Sequence, residues 1–497
     1  MSNSIPKTRL YTELLPFIQE KPKVEERCDK IFEKWRQETK SVIRERLSVT
    51  FVGIDSTSRH NMIRQMNKTY NFLRSNNNII DLKGFIKLAD NTFVNVVPLL
   101  TGLFVEECWN ETMHNVPLDY LNIIWKDFSD KGYRTFYAED CPDIAAFNYV
   151  KSGFAKQPTD YYMRPFYLAV SDSDVNKAEA NCHNSRPEAT VNLQYLLDFL
   201  TTFKTKPTFA YLFNSCLSHW SLNSIGQGDD LYLDFLQQYN KNLLHNNSIL
   251  IVFSDHGIRF GDIRNTYVGK LEERMPFVFI QFPEWFREKY PKLWKNLRVN
   301  QNRLTTFLDL YETLKQILHF TGEATEPDTN NRGLSLFSEI PPERTCKNAA
   351  ILPHWCTCHE KKSVALNDSH VVASAKLIAE ELNRELMSEG KKCAYLTVHE
   401  IKDARTSGLS EEILRFQHSR NDVINRKVIY GNKSSGVWEY LVTMSVKPSG
   451  AILEGTVKYL EGLDSYKLTG DVSRINKYGN QSHCVTSEHL KKFCFCI

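Results

Sequence analysis

Apolar positions along the chain fall into two patterns. Ser48–Ile54, Thr208–Phe213, Ser248–Phe253 and Phe277–Ile280 are short runs, rich in β-branched and aromatic residues, with no alternating polar position. A strand without alternation is buried on both faces, as in a parallel sheet. Between these runs, Leu193–Phe203 and Leu231–Leu244 carry apolar residues at helical spacing, and Tyr133–Ala138 adds another strand-like run. Strands alternating with helices predict an α/β domain with a mainly parallel sheet, whose chemistry belongs at the carboxyl ends of the strands. Residues 1–46 read as a charged helical lead-in and residues 47–345 as the main domain. The main domain closes with a helix at Leu304–Phe320 and a Pro/Gly/Asn-rich loop over Gly322–Thr345. Residues 346–497 read as a small α+β domain, with a helix at Val371–Met387 and strand-like alternation in Trp438–Ser445 and Ala451–Tyr459.

The strongly apolar strands end on chemically capable groups. The first leads to Asp55 and the third to Ser254-Asp255-His256-Gly257. Two carboxylates and an imidazole delivered to one sheet edge suit a divalent ion such as zinc or manganese. The alternative is structural, since Asp after a strand also serves as a helix N-cap or turn residue. His219 follows the second run, Glu139 and Asp140 close the Tyr133–Ala138 run, and Arg259 and Arg264 follow the Asp-His pair. The two arginines are either clamps for a tetrahedral anion or surface ion-pair partners.

Composition narrows the setting. The chain has 497 residues, more than one hydrophobic core usually organises, and 62 basic against 59 acidic residues with no long basic run. That balance gives no reason to expect a nucleic-acid partner, and no stretch is apolar enough for a membrane span. Six glycosylation triplets, at Asn67, Asn110, Asn246, Asn367, Asn432 and Asn480, accompany 12 cysteines. Together they point to an oxidising, extracellular or lumenal setting. Met1–Pro6 lacks the features of a signal peptide, and we read the chain as continuing from a missing upstream segment. The dense Pro353–His359 segment, with Cys356 and Cys358, and the pair Cys494/Cys496 fit either zinc or disulfides, and the expected setting favours disulfides, with each partner bonded elsewhere.

The order Asp55, then Asn91-Thr92-Phe93-Val94-Asn95 before the helix-like Val96–Gly102, then Ser254–Gly257, resembles the alkaline-phosphatase and sulfatase superfamily. Thr305–Leu314 and Gly333–Phe337 resemble its late elements. Within it, the chain is similar over residues 10–497 to an invertebrate, sulfatase-like extracellular family catalogued as a domain of unknown function. The matching segments include Gly153-Phe154, Pro158–Pro165, Leu217–His219, Glu272–Pro276 and Ser473–Gly479, with Cys484, Cys494 and Cys496.

The resemblance implies an alkaline-phosphatase-like α/β/α sandwich with a small cysteine-rich domain. It implies one divalent metal ion held by Asp55, Thr92, Asp255 and His256, with Thr92 as nucleophile, Asn95 as an oxyanion donor and His219 as a substrate-side histidine. Arg259 and Arg264 are then substrate-binding. The activity implied is hydrolysis or transfer of phosphate esters outside the cytoplasm, on a phosphorylated small molecule, glycan or lipid head group. Two departures narrow this. The chain lacks the Cys/Ser-x-Pro-x-Arg context of sulfatases, and Ser215 stands where two-metal members carry an Asp, so a second metal is not expected. The rival reading is a non-catalytic extracellular binding protein that keeps the fold.

Overall fold

The computed structural model describes residues 12–38, 45–173, 182–183, 186–243, 247–359, 361–408 and 437–497. Its described residues form two compact units: Met1–Arg259 with Tyr267–Ala350, and Phe260–Thr266 with Ile351–Ile497.

The first unit is built on a seven-stranded sheet. Its strands are β1 (Ser48–Ile54), β2 (Ile79–Asp81), β3 (Arg134–Glu139), β4 (Tyr161–Tyr162), β5 (Thr208–Asn214), β6 (Ser248–Phe253) and β7 (Val278–Gln281), in the order β2-β7-β6-β1-β5-β3-β4. From β6 to β4 every pairing is parallel, whereas β7 runs antiparallel to both β6 and β2. The α/β class with a mainly parallel sheet is therefore as expected. The reversed β7 is a difference that an apolar run does not disclose, because periodicity carries no strand direction. Every residue of β1, β3 and β5 is buried, which accounts for the absence of polar alternation.

Helices cover both faces of this sheet. On one lie α3 (Glu188–Thr202) and α4 (Asp229–Leu243). They present Leu193, Leu196, Leu197 and Leu200, and Tyr232, Phe235, Leu236, Tyr239 and Leu243, to the Val52, Ile54, Ala210 and Leu212 side of the strands. These helical positions recur at spacings of three and four, the stripe that buries an amphipathic helix. The opposite face is aromatic. Phe51 packs edge-on to Phe253 at 5.6 Å, and Phe209 meets Phe128 of the helix Ile124–Asp130 at 4.5 Å. The lead-in helix α1 (Pro22–Glu38) is held by Arg134, whose guanidinium is fully buried against Glu25 and Asp29.

The second unit is an antiparallel sheet covered by α5 (Ser369–Leu386). Its strands are β8 (Lys362–Ser363), β9 (Thr397–Gly408), β10 (Val437–Lys447), β11 (Ile452–Leu460), β12 (Ser465–Leu468) and β13 (Ser473–Arg474). They run β8-β9-β10-β11-β12, with β13 also on β11. Val371, Ala375, Ile378, Ala379, Leu382 and Leu386 form the buried stripe of α5 over Val442, Met444, Leu453 and Val457. Two disulfides, Cys393–Cys494 and Cys484–Cys496, staple this unit, so neither partner of the Cys-x-Cys pair bonds to the other. Strand β9 was not legible because its residues, from Thr397 through Lys402 and Asp403, are largely polar. Among the described residues no helix is long and apolar enough to cross a membrane.

Gly53 is the narrowest point of the aromatic face. A Cβ there would lie 2.1 Å from Phe213 Cδ2 and 2.9 Å from Phe253 Cε1. Gly53→Ala is expected to lower stability by about 1–3 kcal/mol through overpacking, read as a lower denaturation midpoint. An unchanged midpoint would show that the two phenyl rings move aside without cost.

Candidate active site

Strand register brings the expected residues together. In β1, Gly53 is opposite Phe253 of β6, and Ile54 is opposite Asn214 of β5. One step further, Asp55 leaves the sheet between Asp255 and Ser215, and its N–H donates to the Asn214 carbonyl at 2.9 Å. Ser56 then turns through a left-handed conformation, φ 55°. That backbone is unfavourable for a non-glycine residue. It aims the Ser56 N–H at Asp255 Oδ1 (3.1 Å) while the hydroxyl donates to Asp55 Oδ1 (2.7 Å). Asp255 Oδ1 also accepts the N–H of His256 at 2.8 Å.

Asp55, Asp255 and His256 are all buried, and one ligand atom from each lies within 4.8 Å of the others. His256 Nδ1 is 2.8 Å from the Gly257 carbonyl. A carbonyl only accepts, so the ring proton sits on Nδ1 and Nε2 presents a lone pair. That lone pair faces Asp255 Oδ2 at 3.1 Å, Thr92 Oγ1 at 3.5 Å and Asp55 Oδ1 at 3.9 Å. Asp255 Oδ2 accepts no hydrogen bond. Two carboxylate oxygens and an imidazole lone pair thus converge with only the Thr92 hydroxyl to donate among them, and this donor set fits a divalent cation. Burial pushes Asp55 up to about 6 and, with the charge of Asp55 added, Asp255 up to about 7. Burial, helped by Arg259 and Lys87, holds His256 well below its usual range and so neutral. A bound cation reverses the penalty on both carboxylates.

Thr92 opens α2 (Thr92–Thr101), with Asn91 as N-cap. The unpaired N–H groups of the first helical turn face the same end of the helix, where an anion is favoured. Gly257 is required by close approach, because a Cβ there would lie 2.5 Å from the Glu272 carbonyl oxygen. The loop ahead of Thr92 is locked by the fully buried Lys87, which donates to the Asp90 carbonyl at 3.0 Å and pairs with Glu273.

The other expected site residues divide. Arg259 lies 3.4 Å from Asp90 and acts electrostatically on Asp55 and His256. His219 sits in the turn after β5, its N–H on the Ser215 carbonyl and its ring edge-on to Trp220 at 4.4 Å. Asn95 and Arg264 require correction. Asn95 is fully buried; its Oδ1 accepts from Leu88 and Ala89, and its Nδ2 donates to the carbonyls of Ala89 and Asn91. With both amide protons engaged, it ties down the loop before α2 and presents no oxyanion donor. Arg264 belongs to the second unit, where it is buried 3.7 Å from Glu454. Its charge is answered there by a buried carboxylate of its own unit.

Three features escaped the sequence. Asp140 accepts the backbone N–H groups of Ser215 and Cys216. A disulfide, Cys141–Cys216, joins the ends of β3 and β5. The Lys87–Glu273 pair spans 186 positions, and no local pattern announces such a partner. Of the glycosylation triplets, Asn67, Asn110, Asn367 and Asn480 are exposed, while Asn246 and Asn432 lie outside the described residues.

The corrected role of Asn95 makes an experimental distinction. Asn95→Ala is expected to leave the Leu88 and Ala89 amides without their acceptor and to cost on the order of 2–4 kcal/mol in stability. Chemical denaturation checks it; a variant of full stability with reduced turnover would restore the oxyanion role.

No curated protein matches the chain. Several solved structures are similar to part of it. The C-terminal periplasmic domain of EptC from Escherichia coli, in complex with zinc, is 13% identical over 61% of this chain and 89% of that chain, with a TM-score of 0.40. The lipoteichoic acid synthase LtaP from Listeria monocytogenes is 12% identical over 50% of this chain and 71% of that one, at a TM-score of 0.35. The PsFucS1 sulfatase from Pseudoalteromonas is 10% identical over 70% and 79%, at 0.37. These are likenesses at low similarity and no more. The sequence itself matches the family described as "Protein of unknown function (DUF229)" over residues 5–402, and the chain belongs to that family.

Proposed function

We propose that this chain is a metal-dependent hydrolase or transferase of phosphate esters, of phosphodiester or phosphoglycerol type, in the alkaline-phosphatase superfamily. The observation that carries the reading is the convergence of His256 Nε2, Asp255 Oδ2, Asp55 Oδ1 and Thr92 Oγ1 in one buried cluster. Asp55, Asp255, His256 and Thr92 would hold one divalent ion, which supplies Lewis acidity that lowers the hydroxyl pKa and offsets charge on the transferred group. Thr92 gives up its hydroxyl proton to solvent and attacks phosphorus with an oxygen set 3.5 Å from His256 Nε2. The first turn of α2 and Arg259 bind the anionic oxygens. His219, on the β5 turn, gives the departing ester oxygen its proton, and water or an acceptor alcohol then releases the phosphoryl group from Thr92. The substrate is a phosphorylated small molecule, glycan or lipid head group. The engagement of Asn95 by backbone favours the rival reading of a binding protein, because one expected oxyanion donor is absent.

We place the protein outside the cytoplasm. Disulfides in both units and four exposed sequon asparagines support this reading.

Thr92→Ala is expected to keep the ion and lose turnover by on the order of 10³-fold or more on a phosphate ester that the unaltered protein cleaves. Asp255→Asn and His256→Ala are expected to lose metal and activity together. Metal analysis alongside a panel of phosphate mono- and diesters and sulfate esters decides the matter. Near-normal kcat in metal-loaded Thr92→Ala sinks the nucleophile assignment, and protein that binds no divalent ion leaves the binding-protein reading.

Protein from its native source is expected to lose mass on N-glycosidase treatment, at Asn67, Asn110, Asn367 or Asn480 or at the further triplets Asn246 and Asn432. Peptide mapping that finds all six unmodified would defeat the extracellular placement.

A further inference from the structure

Asp140 is buried at the carboxyl end of β3, close to the Asp55 cluster, yet it is not among the groups that converge on His256 Nε2. Both its oxygens are spent on backbone. Oδ1 accepts the Ser215 N–H at 2.6 Å and Oδ2 the Cys216 N–H at 3.2 Å. The next residue, Cys141, adopts φ 30°, outside the regions comfortable for a side-chain-bearing residue, and is bonded to Cys216. The turn from Ser215 to His219 is therefore held by a carboxylate and a covalent bond from the same two adjacent residues of the neighbouring strand.

What the clamp holds has a direct consequence for the cluster. Asp55 donates its N–H to the carbonyl of Asn214 at 2.9 Å, and Ser215 follows directly. Just before it, Asn214 is fixed on both sides: its Oδ1 accepts from Asn192 Nδ2 at 2.6 Å, and its Nδ2 donates to the Tyr232 hydroxyl at 2.9 Å. The turn also carries His219, whose N–H bonds to the Ser215 carbonyl at 2.9 Å. Burying a carboxylate near Asp55 is unfavourable unless its hydrogen bonds compensate. A neutral side chain would avoid that cost but would lose an acceptor for one of the two N–H groups.

We propose that Asp140, backed by the Cys141–Cys216 disulfide, is a positioning residue. It fixes the Ser215 turn, and with it the Asn214 carbonyl that accepts the Asp55 N–H, so that Asp55 is set toward a metal ion, and it sets the place of His219. This rests on the metal-centred reading of the Asp55 cluster. Groups that orient metal ligands commonly contribute about 10- to 100-fold in metal affinity.

The test measures zinc or manganese affinity by calorimetry, steady-state kinetics on a cleaved phosphate ester, and amide hydrogen exchange at residues 214–219 without metal. Asp140→Ala is expected to weaken metal binding by about 10- to 100-fold and to speed exchange at Ser215 and Cys216. Asp140→Asn, which keeps one acceptor oxygen, should fall between the two. Ser215→Ala, which keeps the backbone N–H that Asp140 holds, should leave metal affinity and exchange unchanged, and Cys141→Ser with Cys216→Ser should show the smaller part of the Asp140→Ala effect. Should Asp140→Ala fail to fold, Asp140→Asn and the double cysteine variant carry the test. Unchanged metal affinity in those variants, with the unaltered protein binding the ion, overturns the clamp alone. No ion bound by the unaltered protein overturns the metal reading and the clamp with it; exchange at Ser215 and Cys216 that ignores Asp140→Ala overturns the clamp whatever the metal result.

Discussion

Parallel pairing of β1 with β6 on one side and β5 on the other is the constraint on which the candidate site depends. Parallel neighbours end at the same edge, and here they end in step, so that Asp255, Asp55 and Ser215 emerge side by side. Nothing in their side chains would bring two carboxylates together; burial and mutual repulsion both oppose it. The apolar interior of the sheet drives the pairing, and the polar cluster is carried along at its margin. Ser56 and the His256 backbone N–H then compensate part of the electrostatic cost by donating to the two carboxylates.

The same division explains what was legible in the sequence. Runs such as Ser48–Ile54 and Ser248–Phe253 announced buried strands because their whole length is apolar, and Asp55 and Asp255-His256 were conspicuous by ending them. Residues that act through distant partners gave no sign. Asn95 has the composition of a donor beside a nucleophile, yet its amide is consumed within its own loop, a matter of backbone path that spacing does not encode. Arg264 followed the Asp-His pair closely enough to suggest an anion clamp, but the chain changes unit between Arg259 and Arg264. Strand β9 was hidden for the opposite reason: it is too polar to stand out, and its place in the sheet comes from pairing with the apolar β10.

Rigidity at the sheet edge is bought mainly by backbone hydrogen bonds to side chains. Lys87, Asn95, Asp140 and Ser254 each spend their polar atoms on main-chain groups of the loops that carry Thr92, the Ser215 turn and the Thr57 segment. A cluster of like charges is thus supported from beneath by satisfied, buried polar contacts, which hold geometry better than solvated ones because water does not compete for them.

The course of the backbone has a separate consequence. Phe260–Thr266 belongs with Ile351–Ile497, while the residues on either side of it belong to the first unit. The second unit is consequently discontinuous in sequence, and no single cut of the polypeptide yields both halves intact. A chain released from a ribosome as far as Ala350 would have completed the strands of the main sheet while the segment directly after Arg259 still waited for neighbours not yet made. Residues 260–266 therefore meet the neighbours of their own unit only once residues 351–497 have been made.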